Sequence, residues 1–419
     1  MTEVIPFAPD RPCPLDGVRV LDLSRLVCGN MLTLQLADFG AEVIKLEPPE
    51  GDPLRHWREG GVSVHWKVYG RNKKSVRLDL RTEDGKALLR RLLPTAHMLV
   101  EGFRPGVMES AGFGPDQVLA LNPRLVFVRI SGFGQTGPYS PRPGFGSLAE
   151  GMCGFAAKNG FADKPPALPN MALADMVAGI QGAFAAMVAL REAEREGGRG
   201  QVIDLSLLEP LHMTLGPDAA VHRLTGRSPL RSGNRVSLTA PRNVYATVDG
   251  AWLALSASTQ GMTARLFRSL DRPELIEDPR FRTNADRLRH VEELDAIVQD
   301  FVGQHTLDSN LAFFAAAQVT VGPVYDAAGF GDDPHVQARG VLVEMEDAEL
   351  GSVPMHAVCP RLSDTPGALR RPAPDLGQHD SEVLASVPLE GFQECPQKLR
   401  TGACNPVAAN LYSVGDQNE

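Results

Sequence analysis

The sequence predicts an α/β protein, with a large domain on a parallel-type sheet followed by a smaller α+β domain. Three observations carry this. From Gly17, GVRVLDLSRLVCGNMLTLQLADFGAEVIKLE gives a short β-rich run, a Gly-containing turn, a helix-compatible stretch, a stop at Gly40 and a second β-rich run, which is a βαβ unit. Two further apolar runs, at 97–100 and 124–130, lead into Gly-containing loops, EGFRPG and SGFGQTGP, as the first leads into the loop at 24–30. After about residue 216 the composition turns polar, and RNVYATVDGAWLALSA then reads as a hairpin turning on Asp249 and Gly250. Loops beyond the strand ends, where ligands sit in open α/β sheets, make the large domain Rossmann-like.

At 419 residues and 43% hydrophobic content, the chain can bury the cores of two domains. A formal net charge of −9 argues against a nucleic-acid surface over the whole protein, because phosphate binding needs a clustered positive field; a local basic pocket for a small anion stays open. No run of about 18 apolar residues suggests a membrane span. MTEVIPFAPDRPCP lacks the basic start and apolar core of a secretory signal, so a soluble cytoplasmic protein is expected. Six scattered cysteines without a CxxC pair signal neither disulfides nor zinc, and ten histidines show no metal-ligand spacing, so no metal is expected.

Along the chain, residues 1–215 are expected to form the large domain and 225–330 the smaller one, with helical patterns at 263–270 and 287–304. Residues 331–388 read as a strap of short β-rich runs returning to the large domain, and 389–419 as a loosely ordered tail. GFGQTG at 132–137 matches the GxGxxG dinucleotide fingerprint, but Pro138, Pro141 and Pro143 preclude the phosphate-binding helix it requires, and no clean βαβ unit follows. GRNKKSVRLDLR, with Arg71, Lys73, Lys74, Arg77 and Arg81, reads as a solvated basic edge or as an anion site. Arg104 is the better anion ligand, set between a strand end and a Pro-Gly turn.

PALPNMALADMVAGIQGAFAAMVALREAEREGGRGQ turns from Pro-rich to helical at Asp175, after which Met176, Ile180, Phe184 and Met187 recur at helical spacing. A carboxylate there is stabilised by free backbone N–H groups and the helix dipole, whether it caps the helix or acts as a nucleophile. HExxH, GxSxG and a phosphate-cradling loop are absent. His56 and His65, beside Trp57 and Trp66, read as a packed loop, His379 as a capping or surface residue, and Cys28 as a small lining residue.

Taken in order, GVRVLDLSR, LADFGAEVIKLEPPEGDPLR, GRNKKSVRLDL, VEGFRPGVMESAG, ISGFGQTGPY, LADMVAG, GRGQVIDLSL, YATVDGAW, DPHVQARG and PAPDLGQH resemble the class III coenzyme A transferases, over roughly residues 15–384. The resemblance implies that Asp175 is the nucleophile, passing through aspartyl anhydride and aspartyl-CoA thioester intermediates. It implies no tightly bound cofactor, coenzyme A and acyl-CoA being substrates. It also implies CoA contacts at Val27 and Cys28, at Leu78 and Arg81, at Gly102, Phe103 and Arg104, and at Ser131, Gly132 and Phe133, and an interlocked homodimer. The small residues Ala172, Ala174, Ala178, Gly179 and Gly182 are expected to let thioester and backbone approach closely. Two departures stand out: Val27 occupies a place where some members have Gln, and STQGM at 258–262 replaces a mobile Gly-rich loop. α-Methylacyl-CoA racemase relatives require a His in a turn that here reads PGFGSL, with Phe145 and Gly146, and phenylalanine moves no proton. A racemase and a non-catalytic acyl-CoA binding protein remain the alternatives. Phe133, Phe145 and Met152 suggest an acyl group of low polarity, although core packing explains them equally.

Overall fold

The computed structural model describes residues 4–387; the tail expected at 389–419 lies outside the described residues. Six short runs form one sheet: β1 (Arg19–Leu23), β2 (Glu42–Glu47), β3 (Lys73–Arg77), β4 (Met98–Glu101), β5 (Val126–Ser131) and β6 (Val202–Ser206). Their spatial order is β3-β2-β1-β4-β5-β6, and every neighbouring pair is parallel. Adjacent residues of a strand point to opposite faces, and both faces are covered. Val20, Val43, Met98 and Val126 enter one core, while Leu21, Ile44, Leu99 and Phe127 enter the other. The order reverses between β1 and β4, so the loops leaving their carboxyl ends flank the crevice where doubly wound sheets take ligands.

The basic stretch around β3 divides: Arg77 and Arg81 form the solvated, ion-paired edge that the sequence suggests, whereas the residues before them turn inward. Arg71 and Lys73 are wholly buried. Arg71 pairs with Asp38 at 2.6 Å, Lys74 with Glu42 and Glu382, and Arg77 with Asp380. These carboxylates are distant in sequence, so local spacing gives no hint of them.

On one face of the sheet, α1 (Cys28–Ala37) packs against a 21-residue helix, Leu173–Ala193; the short α2 (Gly146–Met152) lies beside the latter, here termed α3. Contrary to expectation, α3 is long and apolar enough to pass for a membrane span by length and composition. Its Ala and Gly positions make a narrow face buried against the core. A Cβ on Gly179 would fall 2.7 Å from the Cys28 carbonyl oxygen, and one on Gly182 would fall 2.6 Å from Leu32 Cδ1. These glycines therefore serve close packing of α3 on α1 rather than substrate approach. A crossover from β5 to a parallel β6 also does exist, although the loop after β5 stays non-helical through the three prolines until α2 begins.

The hairpin β7 (Arg242–Ala246) and β8 (Trp252–Ser256) is antiparallel and is joined by β9 (Val321–Pro323). Helices Gln260–Ser269, Val291–Val302 and Leu307–Ala316 close its core. STQGM is thus no mobile loop: Thr259 caps the first of these helices by accepting from the Met262 N–H. A third sheet pairs Val4–Ile5 with β10 (Leu342–Asp347) and β11 (Gly351–His356). Beyond it the chain returns to the large sheet. Ala368 N–H donates to the Asp38 carbonyl, and Ser75 N–H to His379 Nδ1; His379 holds the N-cap position of the helix Asp380–Ala385, as expected near a helix start, but its side chain bonds Ser75 rather than the helix end.

Candidate active site

Asp175 lies in the first turn of α3 without capping it; Ala172 is the N-cap residue and gives no side-chain hydrogen bond. Its carboxyl is pushed up to about 6, by burial first and by the neighbouring Glu150 charge second. The backbone N–H groups of Asp175 itself and of Cys28, the first residue of α1, pull the other way. Burial thus outweighs the stabilisation by N–H groups and dipole, yet at about 6 the carboxyl is still mostly ionised at pH 7, as the sequence reading expects.

Two neighbours complete the setting, and sequence reasoning gave neither this role. A Cβ on Gly146 would fall 2.1 Å from Asp175 Oδ2, so only glycine lets α2 start this close to the carboxylate. Glu150, one turn further along α2, is almost fully buried, and its Oε1 accepts from the Ala174 N–H at 3.1 Å. A single acid in the otherwise small and apolar GSLAEGM was the available signal. The Cys28 thiol is pushed well above its ordinary range, by burial and then by Asp175, which keeps it a protonated packing group.

Around this centre the predicted CoA contacts fall into three groups. Val27 is buried with Leu54 and Trp66, and Ala172 and Met176 pack against that cluster. A Cβ on Gly102 would lie 3.7 Å from the Ser24 Cα, so the loops after β1 and β4 touch, and Phe103 lies 5.5 Å below the Arg25 guanidinium. Phe103 N–H is anchored on Glu101 Oε2 at 2.7 Å, and Arg104 is exposed at the crevice rim. After β5, Ser131 Oγ accepts from the Gly134 N–H, Gly132 touches Gly144 two residues before α2, and Phe133 packs edge-on against Tyr139. Leu78 and Arg81 stand apart from the Asp175 contacts. The Leu78 side chain is core, and Arg81 is paired with Asp79 and Glu50 at the surface. Phe145 and Met152 are both more than half exposed, so a single chain does not close an acyl pocket from them. Among the described residues no three metal-ligating side chains converge.

Residues 15–380 match the family model described as CoA-transferase family III. The chain belongs to that family. The transferase is 41% identical to a succinyl-CoA–D-citramalate CoA-transferase of Chloroflexus aurantiacus, over 90% of this chain and 94% of that one. It is 35% identical to a succinate–glutarate CoA-transferase of Agrobacterium fabrum, over 90% and 97%. A crystal structure of a CaiB/BaiF family protein from Brucella suis superposes with a TM-score of 0.80 at 32% identity, covering 90% of this chain and all of the other. The chain is thus a CoA-transferase, with CoA thioesters as substrates.

Proposed function

We propose that the transferase moves coenzyme A from succinyl-CoA, or a close analogue, to a dicarboxylic acid, with Asp175 as the covalent nucleophile. The observation that carries this reading is the Asp175 carboxylate itself: partly desolvated, met by the helix-end N–H of Cys28, at the ligand-binding edge of a doubly wound sheet. The acid class follows the relatives named for succinyl-CoA with D-citramalate or glutarate.

A carboxylate oxygen of Asp175 attacks the thioester carbonyl; a C–O bond forms, the C–S bond breaks, and a mixed anhydride and CoA thiolate result. The thiolate attacks the aspartyl carbonyl, releasing the donor as a carboxylate and leaving an aspartyl-CoA thioester. The acceptor carboxylate attacks that thioester, again freeing thiolate, which takes the acceptor acyl group and regenerates Asp175. No step transfers a proton, so the centre needs an ionised carboxylate, N–H donors for each oxyanion, and exclusion of water. The Cys28 N–H is one such donor. A racemase gains no support, because Phe145 faces solvent and Gly146 bears no proton carrier. The reading includes an interlocked homodimer acting in the cytoplasm.

Incubation with succinyl-CoA and hydroxylamine is expected to leave a hydroxamate on the peptide carrying Asp175. Asp175→Ala is expected to abolish both the adduct and transfer, by at least about 1,000-fold. Transfer in wild-type protein without any Asp175 modification would refute the covalent step.

A further inference from the structure

Four fully buried ionisable side chains, Asp22, Lys45, Asp52 and Lys73, lie beneath the loop that leads into α1, and no step of the transfer uses them. Asp52 Oδ1 accepts from the Leu26 N–H at 3.0 Å, and its Oδ2 accepts from Asn30 Nδ2 at 2.8 Å. Asn30 Nδ2 also donates to the Leu26 carbonyl at 2.6 Å. Lys73 Nζ donates to both the Asn30 carbonyl and Asn30 Oδ1, at 3.0 and 2.9 Å. Asp22 accepts from Ser24 and Thr33, and Lys45 bridges Asp22 and Asp52 at 3.3 and 3.0 Å.

What these groups grip is a strained point. Leu26 has a φ of 60°, a left-handed conformation that a bulky side chain resists and that persists only where its surroundings impose it. Two residues later comes the Cys28 N–H that faces Asp175. Burying such a cluster of ionisable groups is costly, and packed apolar residues serve stability as well or better. Geometry is what these hydrogen-bonding groups supply that apolar residues would not.

Resting on the nucleophile reading above, we propose that Asp52 and Lys73 are positioning residues: acting through Leu26 and Asn30, they hold the first turn of α1 so that the Cys28 N–H meets Asp175. The Arg71–Asp38 pair is the matching control. It is equally buried, but it sits at the opposite end of α1, where Asp38 is the C-cap residue.

Asp52→Asn, Lys73→Met and Arg71→Met are compared for single-turnover CoA release from succinyl-CoA, CoA affinity, thermal midpoint, and hydrogen exchange in the peptide spanning 24–31. The first two are expected to slow CoA release at least about tenfold with CoA affinity within about threefold, and to speed exchange in that peptide. Arg71→Met is expected to lower the thermal midpoint at least as much while leaving the rate within about threefold. Rates that fall in step with the midpoint across all three variants, or unchanged exchange at 24–31, overturn the inference. Asp52→Asn, being isosteric, keeps the comparison if Lys73→Met fails to fold. Wild-type protein that releases no thiol defeats the nucleophile reading instead, and the exchange comparison still decides this one.

Discussion

At Asp175 a helix end and desolvation pull in opposite directions. A helix N-terminus stabilises a carboxylate by about 0.3–1 kcal/mol, less than one pKa unit. Burial and Glu150 nevertheless carry the group from 3.8 up to about 6, so desolvation wins. The kcat/KM profile should therefore rise with pH, reach half its plateau near 6, and level off above 7; Glu150→Gln should move the midpoint down. A profile flat from pH 5 to 8 would rule this out. Stability runs the other way. Between 3.8 and about 6 the folded chain keeps a proton that the unfolded chain has released, so stability falls as pH rises through that window and stays lowered above it. At pH 8, Asp175→Asn should thus be inactive yet more stable to urea, by about 1–3 kcal/mol. The sequence located this residue and its helix end. It could not show the desolvation, because the groups that cover Asp175 come from α1 and α2, 25 or more residues away in the chain.

At the scale of elements, strand and helix periodicity was legible, including the βαβ start and the hairpin at Asp249–Gly250, because each rests on local alternation. Which face of a helix meets which neighbour was not. Gly179 and Gly182 read as room for a thioester, whereas they are the contact through which α3 approaches α1. The consequence is testable. In Gly179→Ala the usual helix-propensity gain of about 1 kcal/mol is opposed by a methyl group 2.7 Å from a backbone carbonyl that cannot rotate away. A net destabilisation of about 1–3 kcal/mol is expected in urea melts, with a disproportionate loss of rate because Cys28 moves. Gly261→Ala, in the first turn of a helix where nothing lies within 4 Å of the new Cβ, should instead be neutral or stabilising by up to about 1 kcal/mol. Equal effects at the two glycines would contradict the packing argument.

For the whole molecule, one chain leaves too much apolar surface in water. α3 turns its Ala/Gly face inward and exposes Ile180, Phe184 and Val188 at i, i+4 and i+8, with Phe184 63% exposed. Met213, Val221, Leu224 and Leu230 are also exposed, Leu224 at 84%. Scattered apolar residues need no partner, but a helix-long stripe does. Phe145, Leu148 and Met152, on and next to the helix that meets Asp175, are open as well; in the proposed homodimer a second chain over the stripe would also wall the proposed anhydride off from water. Periodicity placed Ile180 and Phe184 on one helix without showing which face meets solvent, and the expectation of a dimer came from the resemblance alone. Light scattering at micromolar concentration should give twice the chain mass. Phe184→Glu, which places a charge in the stripe while leaving every Asp175 contact in its own chain intact, should shift the population toward monomer or aggregate and lower transfer by at least about tenfold. A wild-type protein that is monomeric and active, or a Phe184→Glu monomer with full activity, would show that one chain suffices.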